Sequence, residues 1–263
     1  SRKRQFHIPS FSSRTIVYKG LLLAHQIEGF YADLSEESVK TALALVHQRY
    51  STNTFPTWDL AQPFRYMAHN GEINTLRGNI NWMHARERSL HNQRLGDDLP
   101  KLLPLLTPGA SDSAIFDNAF EFLVQSGRGL SQGMMMMIPQ AWDNEPHMDP
   151  ALRAFYQFHS HLLEPWDGPA CIAFTDGRKI GAILDRNGLR PARYMLTKDG
   201  VLVLASEAGV LEVSAEEVER KGQLQPGRIF LVDTENGHVV EDEQIKKTVA
   251  SQHPYEQWVE RRL

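Results

Sequence analysis

The sequence predicts an α+β fold in which helices pack against antiparallel sheets. Short runs rich in Val, Ile, Leu and Phe recur in the second half, and they are separated by Asp176-Gly177, Asn187-Gly188 and Asp199-Gly200, dipeptides that close hairpins. The middle of the chain carries longer stretches with apolar residues at helical spacing. Strands, then helices, then a strand meander are typical of an α+β domain.

Three strands and one helix are predicted in the first part of the chain. Residues 14–19 and 41–50 are rich in Val, Ile, Tyr and Leu and end in small or polar residues. Residues 64–69 form a third candidate strand, which Asn70-Gly71 follows as a turn signal. Residues 74–91 are predicted to form a helix that stops at a polar break.

Two more helices are predicted in the middle of the chain. The first covers residues 111–126, where apolar residues recur on one helical face and Gly127 ends the pattern. The second begins at Asp149-Pro150, a capping residue followed by proline at the first helical position. Its predicted buried face comprises Leu152, Phe155, His159, Leu162 and Leu163.

The second half is predicted to be a meander of short strands. These strands cover residues 170–175, 179–185, 193–196, 201–206, 228–233 and 238–241. Residues 254–263 have the pattern of an amphipathic helix rich in Glu and Arg. No fixed-period repeat or low-complexity linker interrupts the chain, so residues 1–263 are expected to belong to one domain.

Composition excludes several classes of function. The net charge of −4 and the pI near 6.3 argue against nucleic acid or a membrane surface as the main partner. A single cysteine rules out a disulfide framework and any multi-cysteine metal site built from this chain alone. The longest apolar runs are far too short to cross a bilayer. We therefore expect a cytoplasmic-type compartment and, because the chain starts at Ser1 and stops inside a predicted helix, a piece of a longer polypeptide.

Three features that suggest reactive chemistry have a simpler interpretation. Two positions along a helix rotate a side chain by about 200°, so His159 and His161 are better explained by packing than by a shared metal. The methionines at 134–137 favour core or interface packing. Cys171 lies within a predicted strand and is best explained as a small buried apolar residue.

Three polar segments stand out from these core elements. They contain Arg49, Asn70-Gly71 and Asp112. A guanidinium is well suited to an α-carboxylate, and the Asp112 carboxylate can accept hydrogen bonds from an α-ammonium group. The Asn70 amide and the Gly71 N–H are adjacent donors of the kind that stabilise a tetrahedral oxyanion. This set predicts a site that holds an amino acid and attacks its side-chain amide.

Each residue also has an ordinary structural interpretation. Asn70-Gly71 alone is most often a hairpin turn. Ser111 or Asp112 is suited to cap the helix that follows. Arg49 is compatible with a surface ion pair. Taken singly, none of these residues is specific evidence for a site.

Longer motifs around the same residues resemble a known family. They lie at 18–22 (Tyr-Lys-Gly-Leu-Leu), 47–54 (His-Gln-Arg-Tyr-Ser-Thr-Asn-Thr), 69–75 (His-Asn-Gly-Glu-Ile-Asn-Thr), 111–113, 136–142, 184–191 and 205–207. In this order they closely resemble the class II glutamine amidotransferase domain of the glutamate synthase large subunit. The resemblance runs from about Arg14 to Arg228, and 185–191 also resembles a stretch of purine-pathway amidotransferases.

The resemblance implies a four-layer α/β/β/α sandwich of the N-terminal-nucleophile hydrolase type. It assigns Arg49 to the glutamine carboxylate, Asp112 to the α-amino group, and Asn70 and Gly71 to the oxyanion hole. Thr52, in the same motif as Arg49, is implied to contact the substrate. In the family an N-terminal cysteine attacks the amide, and nothing before Tyr18 resembles its surroundings. We therefore expect a truncated, partial domain that lacks the first strands and the nucleophile and is inactive alone.

The resemblance also implies groups and partners outside this chain. FMN and an iron–sulfur cluster belong to the parent enzyme, which converts 2-oxoglutarate to glutamate with ammonia and electrons from nicotinamide or ferredoxin. L-Glutamine, the remaining parent domains and a reductant-supplying subunit or ferredoxin are the expected partners, with no cofactor or metal in this chain. The expected compartment is a bacterial cytoplasm, or a plastid in a photosynthetic eukaryote.

Two alternative functions stay open, and self-association of the fragment is expected from its truncation. The chain is also compatible with another class II amidotransferase, or with a non-catalytic domain kept for assembly. Loss of the first strands would leave an unpaired edge and an uncovered apolar face, so self-association is expected.

Overall fold

A computed structural model describes residues 6–50 and 54–262 of the chain. Its helices are α1 (Ile27–Phe30), α2 (Leu76–Glu87), α3 (Asp112–Gln125), α4 (Leu130–Met137), α5 (Pro150–Ser160), α6 (Asp242–Ala250) and α7 (Tyr255–Arg262). Its strands are β1 (Met67–Gly71), β2 (Ala170–Thr175), β3 (Lys179–Leu184), β4 (Arg193–Thr197), β5 (Leu202–Ala205), β6 (Val218–Gln223), β7 (Ile229–Asp233) and β8 (His238–Val240). Short 3-10 turns cover Ala24–Gln26, Ala32–Ser35 and Gly96–Leu102.

The strands form two antiparallel sheets. One has five strands in the order β1-β2-β3-β7-β8, and the other has three in the order β5-β4-β6. In the larger sheet, β1 pairs with β2 so that Asn70 lies opposite Cys171 and Gly71 opposite Ala170. The predicted α+β class with antiparallel sheets is confirmed.

Side chains of the five-stranded sheet alternate between two cores. Ile172, Phe174, Ile183, Ile229 and Leu231 face the main core, which they share with α3 to α7. Their neighbours Cys171, Ala182, Leu184 and Phe230 face a smaller core, shared with Tyr194 and Leu204 of the three-stranded sheet. This period of two places helices on one face of the five-stranded sheet and the second sheet on the other. These are the α, β and β layers of the sandwich implied by the resemblance.

The helical layer buries the methionine run. Met134, Met135, Met136 and Met137 of α4 are between 0% and 4% exposed, so packing in the core accounts for them. On α5, His159 is buried, its Nδ1–H donates to the Phe155 carbonyl at 2.8 Å, and its ring contacts that of Tyr255. These contacts support the packing interpretation of His159.

Several predicted elements agree with the structure. The helix at 111–126 is α3, and the Ser111 hydroxyl caps it by accepting the Ala114 N–H at 3.2 Å. The Asp149-Pro150 helix is α5, capped by Asp149. Six predicted strands correspond to β2, β3, β4, β5, β7 and β8. The helices predicted over 74–91 and 254–263 correspond to α2 and α7, and β1 overlaps the strand predicted over 64–69.

The strands predicted over 14–19 and 41–50 are wrong. In the described residues neither segment pairs with a strand, and its backbone groups bond to side chains instead. The Val17 N–H donates to the Ser10 hydroxyl at 3.1 Å, and the Lys19 N–H donates to the Tyr31 hydroxyl at 3.3 Å. The prediction missed α1, α4, α6 and β6. The strand β6 was missed because its sequence, Val-Glu-Arg-Lys-Gly-Gln, is mostly polar. Within the described ranges, no helix has both the length and the apolar character needed to cross a membrane.

Candidate functional site

The carboxyl end of β1 holds Asn70 and Gly71. They belong to the strand, so the hairpin interpretation of Asn70-Gly71 is wrong. Gly71 has a φ of 133°, and a Cβ on it would lie 1.7 Å from the Pro169 carbonyl oxygen. Only glycine fits where the two backbones come this close. One residue later, the Glu72 N–H donates to that carbonyl at 2.9 Å, which ends the pairing with β2.

Hydrogen bonding alternates along β1. Glu72 bonds towards β2, so the even-numbered positions face β2 and the odd-numbered positions face the open edge of the sheet. His69 follows this rule, because Gln62 occupies both its N–H and its carbonyl from the open side. By the same alternation the Gly71 N–H, two residues on, is expected to face the open side, where no described strand pairs with β1.

Asp112 is fixed beside this strand end by backbone donors. It is the first residue of α3, and it is 8% exposed. Its Oδ2 accepts the Ile73 N–H at 2.9 Å, and its Oδ1 accepts the Ser113 N–H at 2.8 Å. Because Ser111 is the residue that caps α3, the capping interpretation applies to Ser111 and leaves Asp112 as a carboxylate held against the loop after Gly71.

His69 connects β1 to the start of α3. Its Nδ1 lies 2.9 Å from the Ser113 hydroxyl and 4.0 Å from Asp112 Oδ2. Burial is the main cause that lowers the pKa of His69 to about 4, although the Asp112 charge acts in the opposite direction. The imidazole is therefore neutral at neutral pH, and it lies against Ser113 and Asp112 as an uncharged group.

The loop with Arg49 reaches the same region through His47. His47 Nε2 lies 2.6 Å from Asn70 Oδ1, and the Arg49 N–H donates to His47 Nδ1 at 3.2 Å. The Arg49 side chain is exposed, and among the described residues no carboxylate forms an ion pair with it. Thr52 lies outside the described residues.

The motif that contains Lys19 bonds both to residues 59–61 and to the loop with Arg49. Its buried ammonium donates to the carbonyls of Asp59 at 3.1 Å and Ala61 at 2.9 Å. Burial lowers the pKa of Lys19 to about 8. The Tyr50 hydroxyl, next to Arg49, donates to the Gly20 carbonyl at 2.5 Å. The motif at 18–22 therefore holds the Arg49 loop by contacts between residues distant in sequence.

The thiol of Cys171 is not set up for nucleophilic attack. Cys171 is 8% exposed, and burial raises its pKa to about 11. Its thiol is protonated at neutral pH, as expected of a small apolar residue in a strand.

Arg49, Asn70, Gly71 and Asp112 were all selected from the sequence. In the structure the last three lie together at the end of β1, and the backbone of Arg49 is linked to Asn70 through His47. Sequence reasoning missed His47, Gln62, His69 and Lys19, which support them. Three of these four lie inside the motifs at 18–22, 47–54 and 69–75, and this was the only sequence signal for them. Gln62 carries no such signal.

A family described as class-II glutamine amidotransferases matches residues 1–258. The chain belongs to this family. Curated relatives include the large chain of glutamate synthase [NADPH] from Bacillus subtilis, 55% identical over 98% of this chain and 17% of that protein. Glutamate synthase [NADH] from Schizosaccharomyces pombe is 47% identical over 100% of this chain and 12% of its own length. The ferredoxin-dependent glutamate synthase 2, chloroplastic, of Arabidopsis thaliana is 46% identical over 98% of this chain and 16% of its own length.

These matches confirm the resemblance to the amidotransferase part of glutamate synthases. The chain spans less than a fifth of the length of each of those three relatives. Among solved structures, glutamine phosphoribosylpyrophosphate amidotransferase from B. subtilis is 19% identical and covers 72% of this chain and 32% of its own, with a TM-score of 0.38. A glutamine aminotransferase class-II domain protein from Silicibacter pomeroyi is 15% identical and covers 66% of this chain and 65% of its own, with a TM-score of 0.36.

Proposed function

We propose that this chain binds L-glutamine and forms the glutamine-hydrolysing part of a glutamate synthase. The single observation that carries the proposal is the convergence of Asn70, Gly71 and Asp112 at the end of β1, with the Arg49 loop bonded to Asn70. The set supplies a cation, an anion and two neutral donors, which match the charges of an amino acid and of an amide under attack.

In the proposed site, the two charged residues bind the ends of the substrate. The Arg49 guanidinium donates to the α-carboxylate, and Thr52 adds a contact from the same loop. The Asp112 carboxylate accepts from the α-ammonium group. Its two backbone donors leave it lone pairs for this contact, because a carboxylate has about four acceptor positions. The glutamine side chain then extends towards Asn70 and Gly71.

Asn70 and Gly71 act on the developing charge. When a nucleophile adds to the amide carbon, the carbonyl oxygen gains negative charge, and two fixed donors stabilise it. By the alternation along β1 the Gly71 N–H faces the open edge. The Asn70 side chain bonds to His47 through its oxygen, which leaves its NH2 group available for a substrate. Collapse of the tetrahedral species, with transfer of the nucleophile's proton to the nitrogen, breaks the C–N bond, releases ammonia and leaves a glutamyl group on the nucleophile. Water then cleaves that bond to give glutamate and the free nucleophile. Cys171 is excluded as the attacking group by its burial and raised pKa.

The redox groups of the proposed parent enzyme do not fit this chain. An iron–sulfur cluster requires several cysteine ligands, and the sequence contains one, which is buried. We propose that FMN and the cluster lie in other parts of the full-length protein, together with the site that accepts electrons. The proposed compartment is a bacterial cytoplasm or a plastid.

Exposed apolar side chains support self-association as part of this proposal. Phe6, Phe11, Val46 and Phe55 are each more than 80% exposed. Exposed apolar side chains mark contact surfaces when they form a contiguous patch. Sedimentation at rising concentration tests this, and a monomer throughout would contradict it.

The experiment that tests the function compares two nitrogen sources in the full-length product of the encoding gene. Arg49→Ala and Asp112→Ala each remove a counter-charge of the substrate, which costs about 2–5 kcal/mol, or a roughly 30- to several-thousand-fold weaker binding of glutamine. We expect the KM for glutamine to rise accordingly, while glutamate formation from free ammonia persists. Loss of the ammonia-dependent rate in both variants would assign them a structural role and contradict the proposal.

A further inference from the structure

One imidazole bridges the two halves of the candidate site. The Arg49 N–H donates to His47 Nδ1 at 3.2 Å, and His47 Nε2 lies 2.6 Å from Asn70 Oδ1. A neutral imidazole carries a single N–H. Because Nδ1 accepts a hydrogen bond, the proton resides on Nε2, and Nε2–H donates to the Asn70 side-chain oxygen.

His47 is kept in the neutral form that this bridge requires. Burial is the largest influence on its pKa and lowers it from its ordinary value, although hydrogen bonding to Asn70 and to the backbones of Arg49 and His69 acts in the opposite direction. A protonated ring would carry N–H groups at both nitrogens and would oppose the Arg49 N–H with a second donor. Of the two neutral tautomers, the Nε2–H form is the one that both accepts the Arg49 N–H and donates to the Asn70 oxygen.

The bond decides which way the Asn70 amide faces. An asparagine amide can rotate by half a turn, which exchanges its oxygen and its NH2 group. With the oxygen towards His47, an acceptor meets a donor and the NH2 group is left facing away from the imidazole. With the amide reversed, NH2 would meet Nε2–H, and the oxygen would be presented in place of the donors.

From this geometry we propose that His47 is a positioning residue that holds the Asn70 amide with its NH2 group directed at the oxyanion. The inference rests on the proposed function, since it assigns His47 through the role of Asn70. The imidazole touches no reacting atom. It links the loop that carries Arg49 to the strand that carries Asn70.

A matched pair of variants separates the two bonds of His47. In His47→Asn the side chain retains an acceptor near the Nδ1 position, for the Arg49 N–H, but is too short to reach Asn70. In His47→Gln a donor is retained near the Nε2 position, for Asn70, and the Nδ1 acceptor is lost. A residue that served only to pack the loop would respond to both substitutions alike.

In the full-length gene product, we expect His47→Asn to lower the glutamine-dependent kcat by about 10- to 100-fold, less than removal of an oxyanion donor typically does. We expect little change in the KM for glutamine in that variant. His47→Gln should retain most of kcat, and ammonia-dependent glutamate formation should persist in both. Equal losses of kcat in the two variants, or an effect confined to KM, would overturn the proposal.

Heteronuclear NMR of the 263-residue chain tests the orientation without any activity. We expect the His47 ring to be the Nε2–H tautomer, and the Asn70 side-chain amide signals to shift in His47→Asn but not in His47→Gln. A His47 ring protonated at Nδ1 instead would overturn the inference. If the tautomer is as expected and the wild-type full-length gene product shows no glutamine-dependent activity, the proposed function fails while the geometry of His47 stands.

Discussion

The side-chain amide of Gln62 forms two hydrogen bonds with the backbone of His69. Gln62 Oε1 accepts the His69 N–H at 2.7 Å, and Nε2 donates to the His69 carbonyl at 3.0 Å. The amide takes the place of a neighbouring strand at the open edge of β1. It provides hydrogen-bond partners for the buried N–H and carbonyl of His69. The next backbone N–H on the open side of β1 is that of Gly71.

Replacement of this amide is expected to destabilise the fold. Gln62→Leu leaves the buried N–H and carbonyl of His69 without partners, and each unpaired group costs about 1–3 kcal/mol. We expect the free energy of unfolding in urea to fall by about 2–4 kcal/mol. Gln93→Leu, at an exposed position, serves as the control and should change it by less than about 0.5 kcal/mol. Equal effects of the two substitutions would contradict the role of Gln62.

The close approach at Gly71 predicts that alanine is not tolerated there. In Gly71→Ala the new Cβ meets the Pro169 carbonyl oxygen, and the φ of 133° is unfavourable for any side chain. We expect a loss of more than about 3 kcal/mol, measured by thermal unfolding. Gly78→Ala on α2 is the matched control. Its Cβ meets nothing within 4 Å, and a gain of about 0.5–1 kcal/mol is expected from helix propensity.

The proposed oxyanion role predicts a kinetic signature for Asn70. Asn70→Ala removes a donor that acts on the transition state, so we expect the glutamine-dependent kcat of the full-length gene product to fall by about 100- to 1,000-fold. The KM for glutamine should change little, in contrast to Arg49→Ala. If the variant instead raised KM and left kcat intact, Asn70 would be a binding residue.

Cys171 is expected to be unreactive in the folded chain. Its pKa of about 11 leaves almost no thiolate at neutral pH, and its burial blocks access. A thiol reagent should modify it only slowly, and rapidly after denaturation. The 263-residue chain should release no ammonia from glutamine. Hydrolysis that disappears in Cys171→Ala would contradict this.

The burial of neutral His69 predicts loss of stability in acid. Its folded pKa of about 4 lies below its ordinary value of about 6.5, so the unfolded chain binds the proton more readily. Stability attributable to His69 is therefore complete above about pH 6.5 and falls as the pH drops towards about 4. His69→Gln should flatten this part of the profile of unfolding free energy against pH. His161→Gln, at an exposed position, should leave the slope unchanged.

Local patterns in the sequence were sufficient for much of the fold. The period of two in β2 and β3, with Asp176-Gly177 between them, predicts a hairpin wherever it lies in a domain. Ser111 caps α3 through a donor three residues away. Asn70, Gly71 and Asp112 were likewise selected from the chemistry of their own side chains and backbone.

Other features depended on distant partners, and the tertiary structure alone decided them. The segments at 14–19 and 41–50 have strand-like compositions, yet no described strand pairs with them, because pairing is decided by neighbours that composition does not specify.

The supporting contacts of the site are of the same kind. His47 and Asn70 are 23 residues apart in the chain, Lys19 and Ala61 are 42 apart, and His69 and Ser113 are 44 apart. The sequence by itself determined which chemical groups are present for the site. Only the folded backbone, by bringing these distant residues within hydrogen-bonding distance, decided which group orients which.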